Sequence, residues 1–410
     1  MNKTYLNLGT NTIIQSIGKI LSILLGLISI SILTRYLGVN NYGIYSLSFA
    51  YLAFFGAFSD LGLQAVAVNE IIRKKFKNSF GTYFWLKLFL SFASVIIPLV
   101  LLLIFPYSSV QKMAIVVAAI AFGLGNMIGF GNAFFQAELK LTTITFLDVF
   151  NKFITVLLIT IFILLKKDLF FILGAVLFGN LITLTLSMIF LKEITNFKFD
   201  FESSNAKILI KKSIPLGLAL LLGTIYFKAD TIMLSLIKGS KDVGIYSLSY
   251  RIFENLLIFW GFYIASFYPV FSKYFNQHEV GKYQKLIKSS VFLAIFLGTL
   301  VFLVGIIIAP SVVRILAGVN FNESINPLRI LLLSSAFFFI NTILYYYFFL
   351  TEKSKVLISG LFLSLLFNVL INLFFITKYS YVGASISTVL TEMFLLIIYC
   401  IALVKINYSK

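Results

Sequence analysis

Apolar runs of about 20 residues return along the whole length of this chain, and nothing in it restricts the possible folds more. Within hydrocarbon a backbone must satisfy its own N–H and C=O groups, which leaves only helices and closed barrels. Strand-length alternation of polar and apolar residues is absent, so the runs predict helices. Twelve spans are expected, at 12–34, 42–66, 84–105, 112–136, 146–165, 169–191, 213–237, 244–271, 289–309, 328–350, 355–376 and 382–404. The composition points the same way: 60% of residues are hydrophobic and 12% charged, against about 45–50% and about 25% in soluble domains. The first run is too long for a signal-peptide core and lacks a small-x-small cleavage site, so it is expected to remain as a span.

The chain also repeats itself. Gly43-Ile44-Tyr45-Ser46-Leu47-Ser48 returns as Gly244-Ile245-Tyr246-Ser247-Leu248-Ser249, and Gly38 matches Gly239 at the same offset. Phe134-Phe135-x-x-Glu138 pairs with Phe348-Phe349-x-x-Glu352, and Gly174-Ala175 with Gly383-Ala384, at offsets that drift as loop insertions would make them. An internal duplication follows. The expected organisation is a six-helix lobe at 1–191, a linker at 192–212 and a second six-helix lobe at 213–410. An even number of spans per half gives both halves the same orientation in the membrane.

A net charge of +18 would suggest nucleic acid in a soluble protein. Here most of the basic residues lie in short loops, where they act as orientation signals, and nucleic acid is discounted. The loops on the side of the termini hold 19 of the 33 Lys and Arg, and those opposite hold nine, which places both termini in the cytoplasm. The run Arg73-Lys74-Lys75-x-Lys77 is read as part of that signal rather than as a lipid or pyrophosphate lure. With Cys400 and His278 each the only one of its kind, neither a disulfide framework nor a metal cluster is expected, and no cofactor is called for.

Ten ionisable residues fall inside the spans, where each costs about 2.5–3.5 kcal/mol at mid-membrane. Lys87 and the i,i+4 pair Asp148/Lys152 lie near span ends, where snorkelling and local pairing suffice. Lys19 and Asp60 share a layer in the inner half, which predicts an ion pair or a shared cavity wall. Lys228, Asp230, Arg251 and Glu254 share a layer in the outer half. Three cations, Lys19, Lys228 and Arg251, suit a phosphate-bearing ligand. Asp60, Asp230 and Glu254 would neutralise them in the empty protein or bind a coupling H⁺ or Na⁺. No phosphate-cradling loop, nucleophile elbow or metal-binding His pair is present, so the chain reads as a transporter rather than an enzyme, driven by a gradient or by the membrane potential.

Ile32-Leu33-Thr34-Arg35-Tyr36-Leu37-Gly38, Tyr42-Gly43-Ile44-Tyr45-Ser46 and Asp60-Leu61-Gly62-Leu63 resemble the N-terminal signature of bacterial polysaccharide flippases of the O-antigen (Wzx) type. Asp230-Thr231-Ile232-Met233-Leu234, Tyr250-Arg251-Ile252-x-Glu254 and Val382-Gly383-Ala384-Ser385-Ile386-Ser387 with Glu392 are similar to later parts of the same family. The resemblance implies the multidrug/oligosaccharidyl-lipid/polysaccharide exporter superfamily, with two six-helix lobes around a central cavity, working by alternating access. It further implies a flippase moving an undecaprenyl-pyrophosphate-linked repeat unit, of O-antigen or capsule, across the bacterial cytoplasmic (inner) membrane. Lys19, Lys228 and Arg251 would hold the pyrophosphate; Tyr226, Tyr250 and Asn255 are candidates for sugar contacts, and the lipid tail would stay among the membrane lipids. Polymerase and chain-length proteins of the pathway are the implied protein partners. The rivals are a cation-coupled multidrug exporter on the same scaffold, which the cations disfavour, and a flippase for another lipid-linked cell-wall precursor. A membrane polymerase or glycosyltransferase would need a large outer loop or a cytoplasmic catalytic domain, and the loops are too short.

Overall fold

The computed structural model describes residues 3–72, 79–195 and 198–408, and these form helices and turns without a strand. In order they are α1 (Lys3–Phe54), a 3-10 turn (Gly56–Ser59), α2 (Leu63–Ile72), α3 (Ser79–Leu101), α4 (Ser109–Ala137), α5 (Leu141–Leu164), α6 (Leu169–Lys192), α7 (Ser203–Ile237), α8 (Ser240–Asn276), α9 (Val280–Ala317), a second 3-10 turn (Val319–Ser324), α10 (Ile325–Leu350) and α11 (Ser354–Tyr408). Ten stretches of helix are long and apolar enough to cross a membrane. Two of them are double, because α1 breaks at Gly38 (φ 67°, ψ 178°) and α11 at Ser380 (φ 52°, ψ −131°). Each break supplies a reversal of direction, and the twelve expected spans are accounted for.

Span two is not the continuous helix expected over 42–66. Helix α1 stops at Phe54, and Leu61 (φ 46°) and Gly62 (φ 75°) carry the backbone through the left-handed region before α2 begins. Gly56, Ser59, Asp60 and Gly62 are the local reason, since these residues favour turns over helix interiors. At Gly62 a side chain would also lack room: an added Cβ would lie 2.6 Å from the Leu216 Cβ. The expected linker likewise becomes helix from Ser203, where α7 starts. Ahead of it, the Trp85 indole donates to the Phe199 carbonyl at 2.9 Å and the Glu202 amide donates to the Thr82 hydroxyl at 3.0 Å.

The chain divides into two compact units, Met1–Thr224 and Ile225–Lys410. In the first, α4 packs against α1, α2, α3 and α6. Its small residues Ala114, Ala118, Ala119 and Ala121 are fully buried, which lets neighbouring helices approach closely. In the second unit α10 takes the corresponding place among α8, α9 and α11. The turns that end α4 and α10 are built alike. The amides of Glu138 and Lys140 donate to the carbonyls of Phe134 and Phe135, and those of Thr351 and Lys353 to Tyr347 and Phe348. This bonding equates Phe134-Phe135 with Tyr347-Phe348, one residue short of the alignment read from the letters. Gly38 and Gly239, matched by sequence, share one conformation, with φ of 67° and 95° and ψ near ±180°.

Candidate functional site

A cavity of about 640 Å³ lies within the first unit, a volume in the range of small-molecule sites. Helix α1 contributes Gln15 and Lys19 to it, the break in span two Asp60, and α2 Gln64. Lys87 comes from α3, Asn126, Gly129 and Asn132 from α4, Asp148 and Asn151 from α5, and Asn180 and Thr183 from α6.

Asp60 sits at the start of α2, where its carboxylate accepts the Gln64 backbone N–H at 3.3 Å, as a capping residue does. Its ionic partner is Lys87, at 2.7 Å. The expected Lys19–Asp60 ion pair is therefore not formed, although both residues do share the cavity wall. Nor does Lys87 snorkel. It is 2% exposed, because its face of α3 packs on the interrupted part of span two, which the continuous-span reading did not contain. Lys19 makes no ion pair or hydrogen bond with another residue among the described residues. Asp148 accepts the Ser22 hydroxyl at 2.7 Å and lies 3.9 Å from Lys152, the expected i,i+4 neighbour.

The amides of this wall went unread in the sequence. Asn151 donates to Asn180 Oδ1 at 2.9 Å and to Thr183 Oγ1 at 3.0 Å, and Asn180 donates to the Ala121 carbonyl at 2.8 Å. Asn126 donates to the Ser94 hydroxyl at 3.1 Å. Amides inside apolar runs were the available signal, since each needs a polar partner or water in a membrane.

In the second unit the four residues expected in one layer sort into groups. Lys228 pairs with Glu254 at 3.0 Å, and its ammonium lies 5.5 Å from the centre of the Tyr250 ring. Asp230 is 4% exposed and accepts hydrogen bonds from Asn372 at 2.6 Å, Thr388 at 2.7 Å and Tyr246 at 3.0 Å. Arg251 is exposed on α8. Glu392, also buried, accepts from Tyr226 at 2.7 Å and from Asn341 at 2.8 Å. The sugar-contact candidates Tyr226, Tyr250 and Asn255 all have partners within the protein. The Tyr226 hydroxyl is committed to Glu392, Tyr250 is buried against Tyr246 with ring centres 5.6 Å apart, and the Asn255 amide donates to the Arg251 carbonyl of its own helix at 2.9 Å. The run Arg73-Lys74-Lys75-x-Lys77 lies outside the described residues.

The sequence matches the family described as Polysaccharide biosynthesis protein over residues 8–275, and the MatE family over residues 215–374. Among solved structures it is similar to the lipid II flippase MurJ in an inward closed conformation, with a TM-score of 0.79 and 15% identity over 95% of this chain and 87% of that one. An inward-facing multidrug resistance MATE family transporter of the MOP superfamily gives a TM-score of 0.73 at 15% identity, over 94% and 95% of the two chains. A MATE transporter of Vibrio cholerae gives 0.63 at 14% identity, over 98% and 99%. At such identities the likeness is one of fold. No curated protein matches the sequence.

Proposed function

We propose a flippase function on the premise that this chain belongs to the polysaccharide biosynthesis protein family, and with it to the multidrug/oligosaccharidyl-lipid/polysaccharide exporter superfamily of multi-pass membrane proteins. In this reading it carries an undecaprenyl-pyrophosphate-linked oligosaccharide from the inner to the outer leaflet of the bacterial cytoplasmic membrane, with both termini in the cytoplasm. The lobes 1–191 and 213–410, joined by 192–212, would alternate in access.

One observation supports this most: Lys19 lines a cavity and forms no ion pair among the described residues, although Asp60 and Asp148 line the same wall. A lone ammonium inside a membrane protein calls for water or an anionic ligand, and a phosphate oxygen is its natural acceptor. The wall beside it is rich in amides, which both donate and accept as sugar hydroxyls do. Asn126, Asn132, Asn151 and Asn180 therefore join Tyr226, Tyr250 and Asn255 as candidates for the glycan contacts. Lys228 and Arg251 remain the pyrophosphate candidates of the second unit, with Glu254 as the counter-ion that a phosphate would replace. Of Asp60, Asp230 and Glu254, Asp230 is the best placed to take a coupling H⁺ or Na⁺, since the side chains it accepts from are neutral.

Multidrug export is the second reading, favoured by the MatE match and by the buried carboxylates Asp230 and Glu392 of the second unit. Reconstitution in liposomes separates the two. Wild-type protein should carry a lipid-pyrophosphate-linked glycan out of reach of an external sugar-specific probe, and Lys19→Ala and Arg251→Ala should each slow this at equal expression. Failure to move any such glycan, together with efflux of a cationic dye, overturns the flippase reading.

A further inference from the structure

The flippase reading uses Lys19 but leaves unexplained the second lysine of the same cavity. Lys87 lies in the middle of α3, in a run that is otherwise apolar or hydroxylic, and is almost wholly buried. A charge there could simply lock α3 to its neighbours through Asp60. Three observations point instead to a ligand. First, Asp60 and Lys87 both line the cavity, and the Asp60 carboxylate keeps 24% exposure to it while the Lys87 side chain keeps 3%. Second, α4 presents Gly129 at this point: a Cβ added there would lie 3.6 Å from the Lys87 ammonium and 3.4 Å from Gln64 Oε1, so the glycine leaves open the space beside the cation. Third, the Asp60 carboxylate occupies a position built for an anion, between Lys87 and the first turn of α2. The next residue, Leu61, lies at φ 46°, a conformation unfavourable for a non-glycine residue. The turn is fixed in place by α7, where a Cβ on Gly217 would lie 2.6 Å from the Leu61 carbonyl oxygen.

We propose that Asp60 is a built-in substitute anion, and that Lys87 is a second phosphate-binding residue held in reserve by it. The inference rests on the reading of this cavity as a pyrophosphate site and assigns the residue that takes the second phosphate. A single phosphate finds one open cation, Lys19. A diphosphate places its second phosphate beside Lys87, takes over that hydrogen bond and turns the Asp60 carboxylate out toward the cavity. When the ligand leaves, Asp60 returns, so Lys87 is never left uncompensated and the diphosphate is not held too tightly to be released.

The test is calorimetric titration of the full chain in nanodiscs with inorganic phosphate, inorganic pyrophosphate and farnesyl diphosphate. Asp60→Asn removes the competing charge while keeping the shape. It should tighten pyrophosphate about tenfold, a typical coupling between linked sites, and phosphate much less; adding Lys87→Gln should abolish that gain. If wild type binds pyrophosphate through Lys19, shown by loss in Lys19→Ala, while Asp60→Asn binds no tighter, the reserve role of Lys87 is wrong and the phosphate cavity stands. If neither wild type nor Asp60→Asn binds any of the three, both ideas fall. Binding of inorganic pyrophosphate but not farnesyl diphosphate keeps the Lys87 assignment and overturns a lipid-linked substrate. Should Asp60→Asn not fold, infrared difference spectra of wild type decide: pyrophosphate should shift a carboxylate stretch that persists in Asp148→Asn, and an unchanged spectrum at saturating ligand overturns the displacement.

Discussion

In the unit Met1–Thr224, Lys19 and the Asp60–Lys87 pair border an open cavity; in Ile225–Lys410, Asp230 and Glu392 are buried and bonded to hydroxyls and amides. The backbone repeats between the two, down to the turns after α4 and α10 and the glycine conformations at 38 and 239. The polar chemistry does not. The two units share a scaffold and differ where side chains meet a cavity or a buried network. One sets Lys19 and the Asp60–Lys87 pair on a cavity, and the other buries carboxylates among neutral donors.

The sharpest way to break this contrast is at Asp230. Asp230→Ala removes the acceptor shared by Tyr246, Asn372 and Thr388, although Thr388 keeps the Ala384 carbonyl and Asn372 keeps Asn368 Oδ1. An orphaned buried donor costs about 1–3 kcal/mol, so the loss should be of that order, while Asp230→Asn keeps one acceptor and should lose less. Unfolding followed by circular dichroism during SDS titration measures both. Asp230→Ala as stable as wild type would show that the network does not hold its unit together.

The matched glycines sharpen the comparison at an intermediate scale. A Cβ on Gly383 would lie 2.0 Å from the Phe375 carbonyl oxygen, whereas at Gly174 nothing lies within 4 Å. Gly383→Ala should cost about 1–3 kcal/mol through overpacking. Gly174→Ala should be neutral, or gain up to about 1 kcal/mol in helix propensity. Equal effects in the same titration would mean that the two copies pack more alike than their surroundings indicate.

The smallest differences are expected at exposed pairs. Lys152 lies 3.9 Å from Asp148 in the first unit, and Lys282 lies 3.0 Å from Glu279 in the second. Lys152→Gln and Lys282→Gln should each change stability by less than about 0.5 kcal/mol, whichever unit they lie in. A loss above 1 kcal/mol at either would assign that pair a role beyond surface charge.

Hydropathy was enough to read the helices, because membrane spans are set by length and composition alone. The break in span two escaped that reading because Phe54-Phe55-Gly56-Ala57-Phe58 stays apolar; only the cluster of Gly56, Ser59, Asp60 and Gly62 marked it. Lys19 and Asp60 stood out as charges inside apolar runs, and both line the cavity. Their pairing could not be read, since depth along a straight helix does not say which neighbour a side chain faces once the helix is interrupted. Lys87 is expected near a span end because the apolar run is bounded at 84, whereas α3 begins at Ser79. The amides at 126, 151, 180, 341 and 372 carry much of the polar bonding in both units, but a neutral amide costs less in an apolar run than a charge and marks its position less sharply.

The interruption of span two also bears on how the chain is made. Its first arm, 39–54, has about 16 residues and a length of about 24 Å at 1.5 Å per residue, short of the roughly 30 Å of hydrocarbon a lone helix must cross. Alone in lipid this arm would span only by thinning the bilayer. It is expected to insert stably only once α2 and α3 have been synthesised to complete and cover it. The device that sets Asp60 in the cavity thus makes the second crossing dependent on its neighbours from the start, and a nascent chain cut before α3 should leave that crossing open to the aqueous side.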